Sequence, residues 1–359
     1  MFHNLQALRG VACLLVVLYH AADAEAGFGL GFSPLKPLRW FGYAGVDLFF
    51  VLSGFIIAST SKADLGRPSR LPHYAFRRGW RIYPTYWLAL ALAVVVYAYS
   101  GPRPVFGPDS AAEWRDTLLL LPQANVPRFL PVAWTLSYEL MFYLAFAGLF
   151  LLPKRMALPA LGAWAAAVVA FALSGQHAPN RFARLAVSPF VLEFLAGCLL
   201  AWSPLRLGRA TVTGLVFAAA AWCGVGSAVL FRADPGWLPV THGPRVVVFG
   251  VPAALLVMAL TGRERAGGRL GWRWLERVGD ASYSIYLTHT TGLVVMLYLT
   301  LLVGWSHRRV PHVGWVGVML AAGVLPGLLL YRFAERPLLR LAKRKKPLEP
   351  VVVPARKAA

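Results

Sequence analysis

Acidic residues are scarce in this chain, with 15 Asp and Glu against 36 Lys and Arg in 359 residues. Charged residues of both signs make up only 14%, which excludes the densely charged surface of an ordinary soluble domain of this length. Cysteine is nearly absent too. Cys13, Cys198 and Cys223 all lie inside apolar runs without metal-ligand spacing, so they read as small core residues and not as ligands or disulfide partners. No repeat of fixed period is visible, and no soluble domain is expected at either end. What fills the chain is apolar: 58% hydrophobic residues and a mean hydropathy of +0.58. The predicted class is an all-α polytopic membrane protein. The net charge of +21 does not point to nucleic acid. Its basic residues fall in alternating loops, the pattern of the positive-inside rule.

About ten spans account for the sequence, at roughly 5–24, 40–59, 82–99, 132–152, 156–174, 186–203, 210–231, 244–261, 281–304 and 313–331, each near the ~20 residues that cross a bilayer core. With the N-terminus in the cytoplasm, the inner segments carry 25 of the 36 Lys and Arg and the outer loops 11. Both termini are therefore expected inside. Residues 1–338 form the expected transmembrane domain, and 339–359 a basic, disordered cytoplasmic tail near anionic headgroups. The piece "EWRDTLLLLP", 113–122, is too short to span and should lie in the outer interface or re-enter. The first segment has a rival reading as a secretory signal, with Arg9 in the n-region and a small-residue cleavage site near "ADA". A single basic residue is a poor n-region, and retention of this helix is the expectation.

Ionisable residues inside spans mark functional sites or paired structural charges. Arg9 and His20 are eleven residues apart, so on a helix they share a face, ~16 Å apart along the axis. Separately, each also reads as an interfacial residue reaching the headgroups. Glu139, in "VAWTLSYELMFYLAF", falls two turns below the outer surface, at the expected depth of His20. A His20–Glu139 pair would relieve the cost of a buried carboxylate and raise the basicity of the imidazole; a structural ion pair is the other reading. Asp47 opens the second span and is either solvated near the outer surface or functional. Ser53 and Gly54, deeper, suit close helix packing. Ser282, Tyr286 and His289 form a polar stripe at i, i+4 and i+7, which either bonds helices together or lines a passage. Arg77, Arg78 and Arg81 precede the third span, as a phosphate grip or as charge that fixes topology. His20, Glu139 and His289 form no local ligand set, and no metal is expected.

Six elements in order resemble the acyltransferase-3 family of integral membrane acyltransferases: Arg9 and His20 at the family's spacing, "GVDLFFVLSGF", "RRGWRIYPTYW", the serine-x-glutamate of Ser137 and Glu139 in "TLSYELMFY", "SYSIYLTH" and "FAERP". The resemblance covers nearly all of the apolar length. The opening "NLQALRG…VVLYH" is most similar to members that acetylate bacterial exopolysaccharides. It implies transfer of an acyl group, usually acetyl from acetyl-CoA, to a hydroxyl of a sugar or related acceptor. His20 would be the catalytic histidine, Arg9 its motif partner and Glu139 the essential carboxylate. Arg77, Arg78 and Arg81 would serve the donor, with Asp47, Ser137, Tyr286 and His289 as further substrate-binding candidates. No permanently bound cofactor is implied. The implied partners are acyl-CoA, a saccharide or lipid-linked saccharide, membrane lipids and polysaccharide synthesis machinery, in a bacterial cytoplasmic membrane. Some members carry an additional span and a soluble esterase-like domain, neither of which is expected here. A transporter or flippase, or a structural export subunit, is the rival from another class. Neither inverted repeats nor matched broken helices support the transporter.

Overall fold

A computed structural model describes residues 2–27, 35, 41–100, 110–123, 126–233, 242–303 and 312–344. Parts of the expected outer loops, and the tail from 345 onward, lie outside the described residues. The described residues are helical throughout their regular structure: α1 (His3–Gly27), α2 (Ala44–Ser61), α3 (Leu71–Ser100), α4 (Ala111–Leu118), α5 (Trp134–Ala147), α6 (Ala157–Leu173), α7 (Arg181–Ala186), α8 (Phe190–Trp202), α9 (Arg209–Ala233), α10 (His242–Arg245), α11 (Val251–Arg265), α12 (Arg273–Asp280), α13 (Ser282–Leu302), α14 (His312–Leu330) and α15 (Arg336–Arg344). Two π-helical turns, Val246–Gly250 and Tyr331–Glu335, join α10 to α11 and α14 to α15.

Among the described residues, nine helical segments are long and apolar enough to cross a membrane. They answer to nine of the ten expected spans. The exception is 186–203. There Ser188–Pro189 interrupts the helix, because a residue preceding proline is driven out of helical geometry. The remaining α8, with 13 residues, covers only ~20 Å. It is held instead by close contact with α2. A Cβ added at Gly54 would collide with the Phe194 carbonyl, and one at Gly197 with the Val51 carbonyl. Small residues thus bring the two backbones together, the packing that apolar helices use when burial alone does not draw them together. Beside this seam the rings of Phe142 and Phe194 stack at 4.6 Å, and Phe50 meets Phe142 and Phe190 at 5.5 and 5.2 Å.

The short helix α4 re-enters. Ser110 caps it by accepting the Glu113 N–H at 3.2 Å, and its other end is caught by α3. Tyr86 and Tyr83 donate to the carbonyls of Thr117 and Leu119 at 2.6 and 3.0 Å, and the Trp87 indole donates to Leu118 at 3.0 Å. These side chains lie ~20 Å short of the distal end of α3 at Ser100, so α4 lies beside the middle of α3. Its Asp116 carboxylate is held there by Arg115 and Arg181.

Helix α1 is enclosed by α2, α11, α12 and α13. A Cβ at Gly10 would strike the Leu275 carbonyl, and one at Gly279 the Gln6 carbonyl, so α1 and α12 touch along their backbones. On α14, Pro326 leaves the Ala322 carbonyl without its usual intrahelical donor. That carbonyl abuts Gly292 of α13. Helix α15 carries regular structure past residue 339, where the tail was expected to begin.

Replacing Gly54 with Ala should cost about 1–3 kcal/mol by overpacking, seen as earlier thermal aggregation of the detergent-solubilised protein. Gly79→Ala, where nothing lies within 4 Å of the new methyl, should cause no loss. Equal behaviour of the two variants would contradict the α2–α8 seam.

Candidate active site

Between α1, α2, α3, α5 and α13 lies a cavity of about 370 Å³, the size of a small-molecule site. Three guanidiniums line one end: Arg9, Arg78 and Arg81. Each is held differently. Arg9 donates to the Gln6 side-chain oxygen at 3.1 Å and to the Ser282 hydroxyl at 2.9 Å. Gln6 in turn donates to Asp280. Arg78 donates to the Thr60 hydroxyl at 2.7 Å and lies over the rings of Tyr74 and Tyr143. Arg81 is neutralised by Glu335 at 2.6 Å. Glu335 is fully buried, and its second oxygen accepts from the Ser284 hydroxyl at 2.6 Å. Among the described residues, Arg9 and Arg78 have no carboxylate within ion-pair distance, which leaves two charges free to grip an anion.

Glu139 also lines the cavity. Its carboxylate accepts from the Ser53 hydroxyl at 3.1 Å and from the Tyr143 hydroxyl. The expected pair with His20 does not form. Tyr43, just ahead of α2, packs on Tyr19 beside His20, and Ser53 lies ten residues further on, ~15 Å along the helix. Glu139 therefore sits at the level of Arg9. The cause is the late start of α5. Its preceding turn, Pro131–Ala133, is fastened at mid-bundle, where the Tyr286 hydroxyl meets the Thr135 hydroxyl at 2.7 Å and donates to the Val132 carbonyl at 3.1 Å.

His20 packs against His289, with ring centroids 5.1 Å apart. The two α1 residues thus meet the two ends of the α13 stripe: Arg9 touches Ser282 and His20 touches His289. Both contacts advance together along the chain, so α1 and α13 run parallel. Between those ends stands Tyr286, which lines the cavity and has its ring 5.8 Å from His289. The remaining candidates scatter. Arg77 is exposed, Ser137 is buried, and neither of them, nor Asp47, His20 or His289, lines the cavity.

The sequence matches the profile of a family described as an acyltransferase domain over residues 2–332. The chain belongs to the acyltransferase-3 family. Its relatives include the exopolysaccharide production protein ExoZ of Rhizobium meliloti (strain 1021), 31% identical over 85% of this chain and 92% of that protein. The acyltransferase MdmB of Streptomyces mycarofaciens is 28% identical over 98% of this chain and 95% of its own length. No solved structure matches. The protein is thus a membrane-bound acyltransferase, and the cavity framed by its motifs is the candidate active site.

In this acyltransferase Asp47 is not solvated. It is fully buried and receives Arg245 through Nε at 3.0 Å and Nη2 at 2.8 Å. Arg245, at the start of the expected 244–261 span, is 2% exposed and lies over the rings of Tyr43 and Phe190. Glu193 of α8 completes the cluster, buried against Gly250 of the π-helical turn. Sequence reasoning missed Glu193 and Arg245, although a lone carboxylate in "FVLEFLAG" is the signal that flags intramembrane charge. Tyr143, four residues past Glu139, was legible as a same-face neighbour. Glu335 lay in the quoted "FAERP" without a role assigned to it, and Gln6 and Asp280 carried no such mark.

Removing one member of a buried pair leaves an uncompensated charge, costing about 3–5 kcal/mol, whereas replacing both is much milder. Arg245→Met should therefore deplete folded protein on fluorescence-detected size exclusion. Arg245→Met with Asp47→Leu should recover much of it. A double variant no better than the single would contradict this pairing.

Proposed function

We propose that the protein transfers an acetyl group from acetyl-CoA, or a related acyl-CoA, to a hydroxyl of a saccharide, an exopolysaccharide or its lipid-linked precursor, in a bacterial cytoplasmic membrane. The observation that carries this reading is α1 itself, which presents a free guanidinium to the cavity at one level and an imidazole ~16 Å further along the same face. Acyl-CoA is made in the cytoplasm, on the side to which charge counting assigns Arg9. Its phosphates suit Arg9 and Arg78, with Arg77 exposed next to Arg78 in sequence and Arg81 held by Glu335. The pantetheine arm is long, thin and largely neutral, and suits a cavity whose further walls are Phe49, Phe50, Val46 and Tyr286.

In the transfer step His20 takes the proton of the acceptor hydroxyl as its oxygen attacks the thioester carbonyl. The C–S bond breaks, and the departing thiolate recovers the proton from the imidazolium. Glu139, lodged between Ser53 and Tyr143, acts on the donor side: its charge opposes the arginine cluster and directs the arm away from unproductive contact. The sugar acceptor is supported by similarity to a relative named for exopolysaccharide production. Asp47 and Ser137 take structural parts in this reading.

The test is a deletion strain complemented with wild type, His20→Ala or Arg9→Ala. Glycan NMR should show O-acetyl signals lost with His20→Ala, while the amount of exported glycan is unchanged. Arg9→Ala should weaken acetyl-CoA binding by about tenfold or more, as loss of a charge-assisted phosphate contact worth roughly 1.5–3 kcal/mol requires. Export that fails with acetylation per chain unchanged would overturn the enzyme reading in favour of a transporter.

A further inference from the structure

The mechanism above leaves His20 without the partner that a general base ordinarily has, since Glu139 lies a level away. A base in this role needs one nitrogen free to take the proton and the other held by a hydrogen bond that fixes tautomer and ring orientation. The residue placed to do this is His289.

His289 is fully buried. Its Nδ1 lies 2.7 Å from the carbonyl oxygen of Tyr286 and 3.2 Å from that of Ile285. A carbonyl only accepts, so Nδ1 carries the hydrogen. In the neutral ring Nε2 is then a lone-pair acceptor. That Nε2 is buried and has no hydrogen-bond partner among the described residues. An unmet buried acceptor costs about 1–3 kcal/mol, so it calls for a donor. The neighbouring ring is His20, at 5.1 Å between centroids. Two imidazoles sharing one N–H···N bond, with about 2.9 Å between nitrogens, have a centre-to-centre distance of this size. Gly323 of α14 lies behind the His289 Cβ.

We infer that His289 is a positioning residue for His20: its Nε2 accepts an N–H from the His20 ring, fixing the tautomer and aiming the other His20 nitrogen at the acceptor hydroxyl. The inference deepens the proposed function and rests on it for the role of His20, but the ring pairing itself stands on geometry. When His20 takes up the proton, the same bond shares the new charge with His289, whose Nδ1–H already points at two carbonyl oxygens. A neutral partner serves here where a carboxylate would be costly to bury. This role replaces direct substrate binding for His289, which does not line the cavity.

The test is ¹⁵N NMR of histidine-labelled protein in nanodiscs, with the His20 resonances assigned by His20→Ala. Wild type should show His20 held in one neutral tautomer. In His289→Ala the His20 signals should move to the averaged pair of a free imidazole, while acetyl-CoA binding stays within twofold and O-acetyl content of the glycan falls on the order of 10–100-fold, the usual effect of losing an orienting partner. His289→Gln, which keeps an acceptor oxygen, should recover a single tautomer and part of the acetylation. A wild-type His20 that is already tautomer-averaged, or one unchanged in both variants, overturns the inference whether or not the variants are active. Failure of the proposed function has a different signature. The glycan would then stay acetylated in His20→Ala, and the NMR would still decide the pairing.

Discussion

Everything in this bundle is arranged around the cost of keeping charge inside an apolar medium. An arginine or carboxylate at the centre of a span costs about 2.5–3.5 kcal/mol on insertion scales, and the chain carries several. The solution is one of contact between helices. Arg9 reaches Ser282 and Gln6, Arg81 reaches Glu335, Arg245 reaches Asp47, and Glu139 reaches Ser53 and Tyr143. Because each of these charges has at least one partner outside its own helix, polar satisfaction and helix register are linked. The parallel contact of α1 with α13 is its main expression. It sets Arg9 at the cavity and His20 beside His289.

Backbone contact makes these registers possible. At Gly10 and Gly279, at Gly54 and Gly197, and at Gly292, a side chain would strike a neighbouring carbonyl. Close approach at these points leaves the polar side chains short distances to bridge. Both π-helical turns stand next to a buried carboxylate, Glu335 in one case and Glu193 in the other. Such turns shift the register by one residue and commonly occur at functional positions. In the second case Gly250 lies directly against the Glu193 carboxylate.

Much of this was legible in the sequence. Nine spans, the shared face of Arg9 and His20, and the stripe of Ser282, Tyr286 and His289 follow from hydrophobic runs and the helical period. What sequence could not supply was depth. Equal distance from a span's end placed Glu139 beside His20, but α5 begins at mid-bundle because its leading turn is tied to Tyr286. The same gap in information left Asp47 open between a solvated and a functional residue, and left its partner Arg245, at the edge of a span, unrecognised. The 186–203 segment read as a span because its apolar content is high. Ser188–Pro189 splits it, and only packing against α2 explains how the remainder stays in place.

The acyltransferase that emerges keeps its cationic mouth and its histidine pair on separate levels, with Tyr286 between them and hydrogen-bonded to Thr135. The donor proposed here, an acyl-CoA, is long, flexible and anionic at one end, as a molecule bridging the two would need to be. Cryo-electron microscopy of the protein in nanodiscs with a non-hydrolysable acetyl-CoA analogue tests this most directly. Density should place the nucleotide phosphates at Arg9 and Arg78, with the acyl end past Tyr286 within reach of His20. An analogue bound with its phosphates away from Arg9 and Arg78, or with its acyl end turned from His20, would contradict it.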